Sequence, residues 1–261
     1  MTTETLGTWR KPPLAYVVAE LVISPHYSLQ AATPKLQDAL RVTYPRTVEG
    51  QELVIDSNPH PVQHPIWRLM SADQRQGVQI GTRAISLHVT SYVHSKDFIS
   101  RWAEVLDVVG AANLGIFVER AGLRYVDLIV PSDGHVPNDY LAPGLQGIVL
   151  EGTTTQAAMW AATFAVDGNM VNARTAAPAP EGIVLPPNFN ALPLQKPKVM
   201  LEGENRLRNR DPIGFIDTDC LKEVQSVFDA SALVGLYTTL QKLASKTFRT
   251  LISEMAQEEW L

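Results

Sequence analysis

Two aspartates separated by a single residue are the first candidates for chemistry in this chain. Asp217 and Asp219 stand in the segment F-I-D-T-D-C, whose apolar residues predict a strand that places both carboxylates on one face. Carboxylate oxygens bind divalent cations, and a third acid converging on the pair would complete a metal site for hydrolysis. Glu202, Glu204 and Asp211 are the candidates for that third acid. We favour the alternative interpretation, a solvated strand end.

Three alternating arginines precede these aspartates. Arg206, Arg208 and Arg210 would present three guanidinium groups on one face of an extended segment. Such a row can bind phosphate groups or an acidic protein surface. It follows a long proline-rich segment, and long loops often carry binding residues. We therefore take the three arginines as the candidate contact with a partner, against the alternative of a solvated loop balanced by neighbouring acids.

Glu20 and Arg124 are charged residues that interrupt apolar strand patterns. Each stands in the middle of a strand that we predict to lead one half of the chain. A charge among apolar residues is costly unless it is paired. We therefore predict a structural ion pair between Glu20 and Arg124 that fixes the register of the two leading strands, and we rank an anion site on Arg124 below it.

The remaining residue types give no ligand set or cofactor motif. The six histidines are scattered, and His60 and His64 have helical zinc spacing, but the prolines around them argue against a helix. Cys220 is the single cysteine and is predicted to be a small buried residue. Neither glycine-rich nucleotide-binding motif is present. We expect no resident metal and no cofactor.

The composition is that of an ordinary globular protein. The chain has 261 residues, of which 45% are hydrophobic and 19% charged, with a formal net charge of −5. The negative charge argues against nucleic acid as a partner. A single cysteine permits no intrachain disulfide. The N-terminal residues lack a signal-peptide core, and no apolar run is long enough to span a bilayer. We expect a cytoplasmic protein without a membrane partner.

The order of predicted elements repeats. Residues 1–13 are predicted as a flexible lead-in. Residues 14–112 form a first half (strand, helix, four strands, helix), and residues 113–261 form a second half (strand, short helical piece, several strands, long helix) with a proline-rich excursion at 176–198. This predicts an α+β fold in which two similar halves of antiparallel sheet, separate or continuous, carry helices on one face. The element order resembles the saddle-like duplication of the TATA-binding protein, which by itself implies no function.

Two motifs together carry a family resemblance. They are P-P-L-A-Y-V-V-A-E-L-V-I at residues 12–23 and R-A-G-L-R-Y-V-D at residues 120–127. The pair resembles a sporadically distributed, poorly characterised bacterial family with an N-terminal P-x-x-x-V-x-x-E strand and a central G-L-R-Y strand. The resemblance implies no reaction. Its patchy distribution implies a setting among mobile defence or toxin–antitoxin genes.

The residues and the resemblance together favour binding over catalysis. We predict a non-enzymatic protein-interaction module that binds another protein, such as a toxin or defence effector, through an open sheet face or the segment 176–210. A homodimer is compatible with the sequence. The alternative function is a metal-dependent hydrolase or nuclease that uses Asp217, Asp219 and Glu202.

Overall fold

One antiparallel sheet organises the protein. The computed structural model describes residues 9–54, 62–148, 150–179 and 191–261. Within these residues nine strands join in the order β2-β3-β4-β5-β1-β6-β9-β8-β7. The strands are β1 (Leu14–Ile23), β2 (Arg46–Val54), β3 (Val62–Met70), β4 (Gln76–Gly81), β5 (Ala84–Val89), β6 (Phe117–Ile129), β7 (Met159–Val166), β8 (Asn169–Ala176) and β9 (Gly214–Val227).

The strand order repeats between the two halves. The leading strand of the first half, β1, pairs with the last strand of that half, β5, and the sheet continues outward through β4 and β3 to β2. The leading strand of the second half, β6, likewise pairs with β9, and the sheet continues through β8 to β7. The leading strands β1 and β6 pair with each other in the centre. The predicted α+β class is confirmed, in its single-sheet form.

Five helices accompany the sheet. They are α1 (Leu29–Leu40), α2 (Ser95–Ala111), α3 (Lys198–Arg208), α4 (Ala230–Leu251) and α5 (Glu254–Trp260), with two short 3-10 helices at Pro137–Tyr140 and Pro143–Leu145. The long helix α4 is capped at its N-terminus, where the Asp229 side chain accepts a hydrogen bond from the Ala232 backbone N–H. No helix in the described ranges is long and apolar enough to cross a bilayer.

The main core lies between the sheet and helices α1, α2 and α4. Alternate residues of the central strands, such as Leu21 on β1 and Leu123 on β6, are fully buried there. Trp102 of α2 and Tyr237 of α4 meet edge to face with ring centroids 5.4 Å apart. The Tyr237 hydroxyl also donates to the backbone carbonyl of Glu20. The last long helix of the second half is thereby tied to the leading strand of the first.

Helix α3 packs on the opposite face of the sheet, which we call the second face. Met200 of α3 joins a smaller apolar cluster with Val18, Leu128 and Phe215. The sequence prediction that the helices lie on one face is therefore wrong, because α3 covers the other face. The apolar ends of β1, β6 and β9 on this face explain the difference, because they need a cover of their own.

The predicted lead-in and the proline-rich excursion are both packed where the structure describes them. Trp9 contacts Phe248 and Trp260 edge to face, and the Lys11 backbone N–H donates to the Trp260 carbonyl. Residues 9–13 are therefore not a loose lead-in; residues 1–8 lie outside the described part. Of the proline-rich excursion, residues 180–190 also lie outside it, and Leu192 is buried against the sheet.

Candidate functional site

A cluster of charges around Asp217 lies on the second face. Arg124 of β6 binds Asp217 of β9 in a bidentate pair, with its Nε and Nη2 atoms each 2.7 Å from a carboxylate oxygen. Arg174 of β8 binds the same carboxylate, its Nη2 atom 2.6 Å from Oδ2. The Asp217 side chain is 1% exposed and that of Arg124 14%, whereas that of Arg174 is 46% exposed. Asp217 is thus held by one buried and one half-exposed guanidinium group.

The register of three neighbouring strands builds this cluster. Arg174 stands opposite Asp217, and Asn172 stands opposite Asp219, along the β8–β9 ladder. Arg124 is directly opposite Asp219 on the other side of β9 and reaches diagonally to Asp217. Burial raises the pKa of Asp219, while Arg124 acts in the opposite direction. The two aspartates do share one face, but that face holds arginines.

The carboxylate bound by Arg124 belongs to Asp217 and not, as predicted, to Glu20. In the β1–β6 ladder Glu20 lies opposite Gly122, so Arg124 is only its diagonal neighbour. The Glu20 carboxylate instead approaches Arg120, at 3.9 Å, and both side chains are about two-fifths exposed. The sequence pointed to a charged residue that needs a partner. The choice of partner depended on β9, which pairs with the other edge of β6.

The third predicted acid is not part of this cluster. Glu202 lies on α3 and forms an ion pair with Lys198 one turn earlier, at 3.3 Å. Both oxygens of Asp217 are already bound by guanidinium groups. In the part of the chain that the structure describes, no group of three or more His, Cys, Asp or Glu side chains is arranged to hold a metal ion. No observation on these residues favours the hydrolase alternative.

The three alternating arginines do not form a common surface. Arg206 and Arg208 belong to α3, where residues two apart point about 200° away from each other. The Arg206 side chain donates to the Pro131 carbonyl at 3.0 Å and pairs with Asp211 at 3.6 Å. Arg210 follows the helix with a positive φ of 62°. The prediction of an extended row is wrong because the alternating pattern falls within a helix.

A buried histidine on the second face was not predicted to have a role. His88 of β5 is 3% exposed, and its two ring nitrogens meet the hydroxyl groups of Tyr16 and Ser86. Burial, with a smaller contribution from Arg68, lowers the pKa of His88 to about 3. The imidazole is therefore neutral at pH 7, donating from one nitrogen and accepting at the other.

The two edges of the sheet differ in character. Edge strand β2 carries charged residues such as Arg46 and Glu49, whereas the other edge strand, β7, reads M-W-A-A-T-F-A-V and carries none. Along β7 the Met159 side chain is 61% exposed and that of Phe164 48%. Among the described residues, no strand pairs with the outer side of β7. The β7 edge is therefore an uncharged, partly apolar strand whose outer side pairs with no described strand.

A cavity of about 270 Å³ lies on the helix-covered face, between β6, α4 and the chain before β1. Its lining combines aromatic side chains (Trp9, Tyr92, Tyr125, Phe248), small polar ones (Ser95, Gln241, Ser245) and the carboxyl group of Asp127. Asp127 stands opposite Leu14 of β1 and is 5% exposed. Burial raises its pKa well above the ordinary value, and the nearby charge of Asp217 acts in the same direction.

Fold and sites together define an α+β protein with a duplicated strand order, a second face that carries charges, an open apolar edge and an acidic cavity. Comparison of the chain with protein-family models, with curated proteins and with solved structures found no significant match. Sequence reasoning missed the cavity, although an aspartate in the apolar row of β6 was a visible signal.

Proposed function

We propose that the protein is a non-enzymatic protein-interaction module that binds an extended strand of a partner protein along the outer edge of β7. The observation that carries this proposal is the contrast between the charged edge β2 and the uncharged edge β7. Sheet edges expose unpaired backbone groups, and proteins commonly protect them with charged residues. β7 lacks this protection.

The hairpin geometry supports strand addition at β7. Val166 and Asn169 close the two-residue turn Asp167–Gly168. In such hairpins the closing pair is hydrogen-bonded, and the bonded positions alternate along the strand. Ala165 and Thr163 therefore direct their backbone N–H and C=O groups outward. An incoming strand gains main-chain hydrogen bonds there, and exposed side chains such as Phe164 supply selectivity.

The family resemblance suggests the setting of this interaction. A sporadic bacterial distribution fits a defence or toxin–antitoxin locus, in which the partner is the toxin or effector. We propose a partner of different sequence, because in such a locus two neighbouring genes encode proteins that bind each other. A second copy of this chain, joined β7 to β7, is the competing occupant.

The test is native mass spectrometry of the full chain co-expressed with the products of its neighbouring genes. We expect a stoichiometric complex. Phe164→Lys places a charge on the β7 edge, and we expect it to weaken the complex at least tenfold. Val48→Lys is the matched control, because Val48 is a 40% exposed apolar residue on the opposite edge strand.

Three results would overturn this proposal. They are a bare monomer, a homodimer that Phe164→Lys dissociates, and a hetero-complex that Phe164→Lys and Val48→Lys affect equally. A bare monomer would mean that no partner binds. A homodimer that Phe164→Lys dissociates would mean that the β7 edge binds a second copy of the chain. Equal effects of the two variants would mean that the interface is not at β7.

A further inference from the structure

Asp127 is a buried carboxyl group without a partner in the described structure. Its exposure is 5%, and no described residue donates a hydrogen bond to it or forms an ion pair with it. Burying a polar group without a hydrogen bond is unfavourable. The large majority of buried polar groups in folded proteins are satisfied. The Asp127 carboxyl group lines the cavity, so a ligand in the cavity can supply the hydrogen-bond donor that the described chain does not.

The described residues that line the cavity include one histidine, His94, and no lysine or arginine, and Asp127 is the one carboxyl group among them. The hydroxyl of Tyr125 is also buried at this site, which raises the pKa of Tyr125, and its neighbour, the hydroxyl of Tyr92, acts in the same direction. The ring of Tyr92 stands edge-on to that of Tyr125, with centroids 5.8 Å apart. Tyr125 thus has a tyrosine neighbour, whereas no described residue binds the Asp127 carboxyl group.

The rest of the wall suits an organic cation. Trp9 and Phe248 meet edge to face at one side, with ring centroids 5.9 Å apart, and both line the cavity. Aromatic side chains attract organic cations through the negative potential of their ring faces, and they also bury hydrocarbon. An anion would raise the pKa of Asp127 further, whereas a cation would favour the ionised form that burial disfavours. A bare metal ion would find a single carboxylate, too few protein ligands for a stable site.

We propose that this cavity binds a small protonated amine. The ammonium group donates to the Asp127 carboxylate and to the Tyr125 hydroxyl, and the hydrocarbon part lies against the aromatic side chains. A volume of about 270 Å³ lies just below the roughly 300–1,000 Å³ of ordinary ligand pockets, so the amine has only a few carbon atoms. The site is independent of the proposed protein interaction, because three strand-to-strand steps separate β6 from the β7 edge.

The first test uses n-butylammonium chloride as the probe, added to the full ¹⁵N-labelled chain buffered at pH 8. Butanol and sodium butyrate are the matched neutral and anionic probes. We expect saturable amide shifts with the amine, concentrated at residues 92–95, 125–127 and 244–248. The two control probes should leave these signals unsaturated at the same concentration. Equal binding of butanol, no saturable shift with the amine, or shifts centred elsewhere would overturn the proposal.

The second test is Asp127→Asn, which keeps the shape of the side chain and removes its charge. We expect the affinity for butylammonium to fall at least tenfold, while the amide spectrum outside the cavity stays that of the folded protein. Asp107→Asn is the control, since Asp107 is an exposed aspartate on α2. Unchanged affinity in Asp127→Asn would refute the assignment. The comparison of the three probes on the unmodified chain decides the question even if that variant fails to fold.

Discussion

Arg124 and Asp217 form the central polar contact between β6 and β9, with two parallel hydrogen bonds of 2.7 Å. The pair lies on adjacent strands whose residues are 93 positions apart in sequence. Such bidentate pairs are stronger and more directional than single hydrogen bonds. Because Asp217 is 1% exposed, the pair acts as a buried contact that fixes one register of the two strands.

Arg124→Ala should destabilise the protein by about 3 kcal/mol, the lower part of the range for breaking a buried ion pair. The loss is limited because Arg174 still neutralises Asp217. Urea unfolding followed by circular dichroism measures it. Arg174→Ala should cost about 1 kcal/mol or less, because its side chain is half exposed.

Arg208→Ala is the control for removing an arginine, because Arg208 is exposed on α3. It should leave the urea midpoint at the wild-type value. If Arg124→Ala also unfolds at the wild-type midpoint, the pair with Asp217 contributes nothing to stability and our account of the cluster is wrong.

The sequence indicated that Arg124 needs a partner but could not choose one. Periodicity assigns a residue to a face of its strand, and the burial of Arg124 followed from its apolar neighbours. The partner depends on which strands become neighbours and on their register, so β9 and not β1 supplied the carboxylate. The local pattern of apolar residues shows which face of a strand a residue occupies, and this was enough to predict most strands. It does not show which strands pair, so it could not identify the partner of Arg124.

The alternating arginines and the cavity show two further limits. The pattern at Arg206 to Arg210 fits a strand locally, but Arg206 and Arg208 lie in α3, which covers the apolar second face, and Arg210 follows the helix. Asp127 was visible as a charge in an apolar row. Whether Asp127 has a partner depends on the residues that surround it in the fold, including Tyr125 and helix α4. Apart from Tyr125, these residues are distant in sequence, so the local pattern around Asp127 could not show it.

His88 should make stability depend on pH below neutrality. Its pKa is about 3 when folded, against an ordinary value of 6.5, because it is buried between Tyr16 and Ser86. Between about pH 3 and pH 6.5 the unfolded chain therefore binds one more proton at His88 than the folded chain does. The stabilisation is complete above pH 6.5 and is lost as pH falls, with a slope approaching 1.4 kcal/mol per pH unit.

Urea unfolding between pH 4 and pH 7 tests this prediction. His88→Gln should lower the free energy of unfolding at pH 7, since the hydroxyl groups of Tyr16 and Ser86 lose their shared partner. It should also reduce the dependence of that free energy on pH by the equivalent of about one bound proton. His94→Gln, at an exposed histidine, serves as the control and should keep the wild-type slope. An unchanged slope in His88→Gln would show that other groups carry the pH dependence.

Gly214→Ala should destabilise the junction of β6, β8 and β9. A Cβ atom at Gly214 would lie 2.8 Å from the Ala176 carbonyl oxygen and 3.2 Å from the Ile129 Cδ1 atom. The oxygen belongs to the backbone and cannot turn aside, so the strands must separate. We expect a loss of about 1–3 kcal/mol, as for overpacked cores. Gly144→Ala is the control, because a Cβ atom there meets no atom within 4 Å. Thermal unfolding should separate the two variants clearly, and equal melting temperatures would mean that the strands accommodate the methyl group without cost.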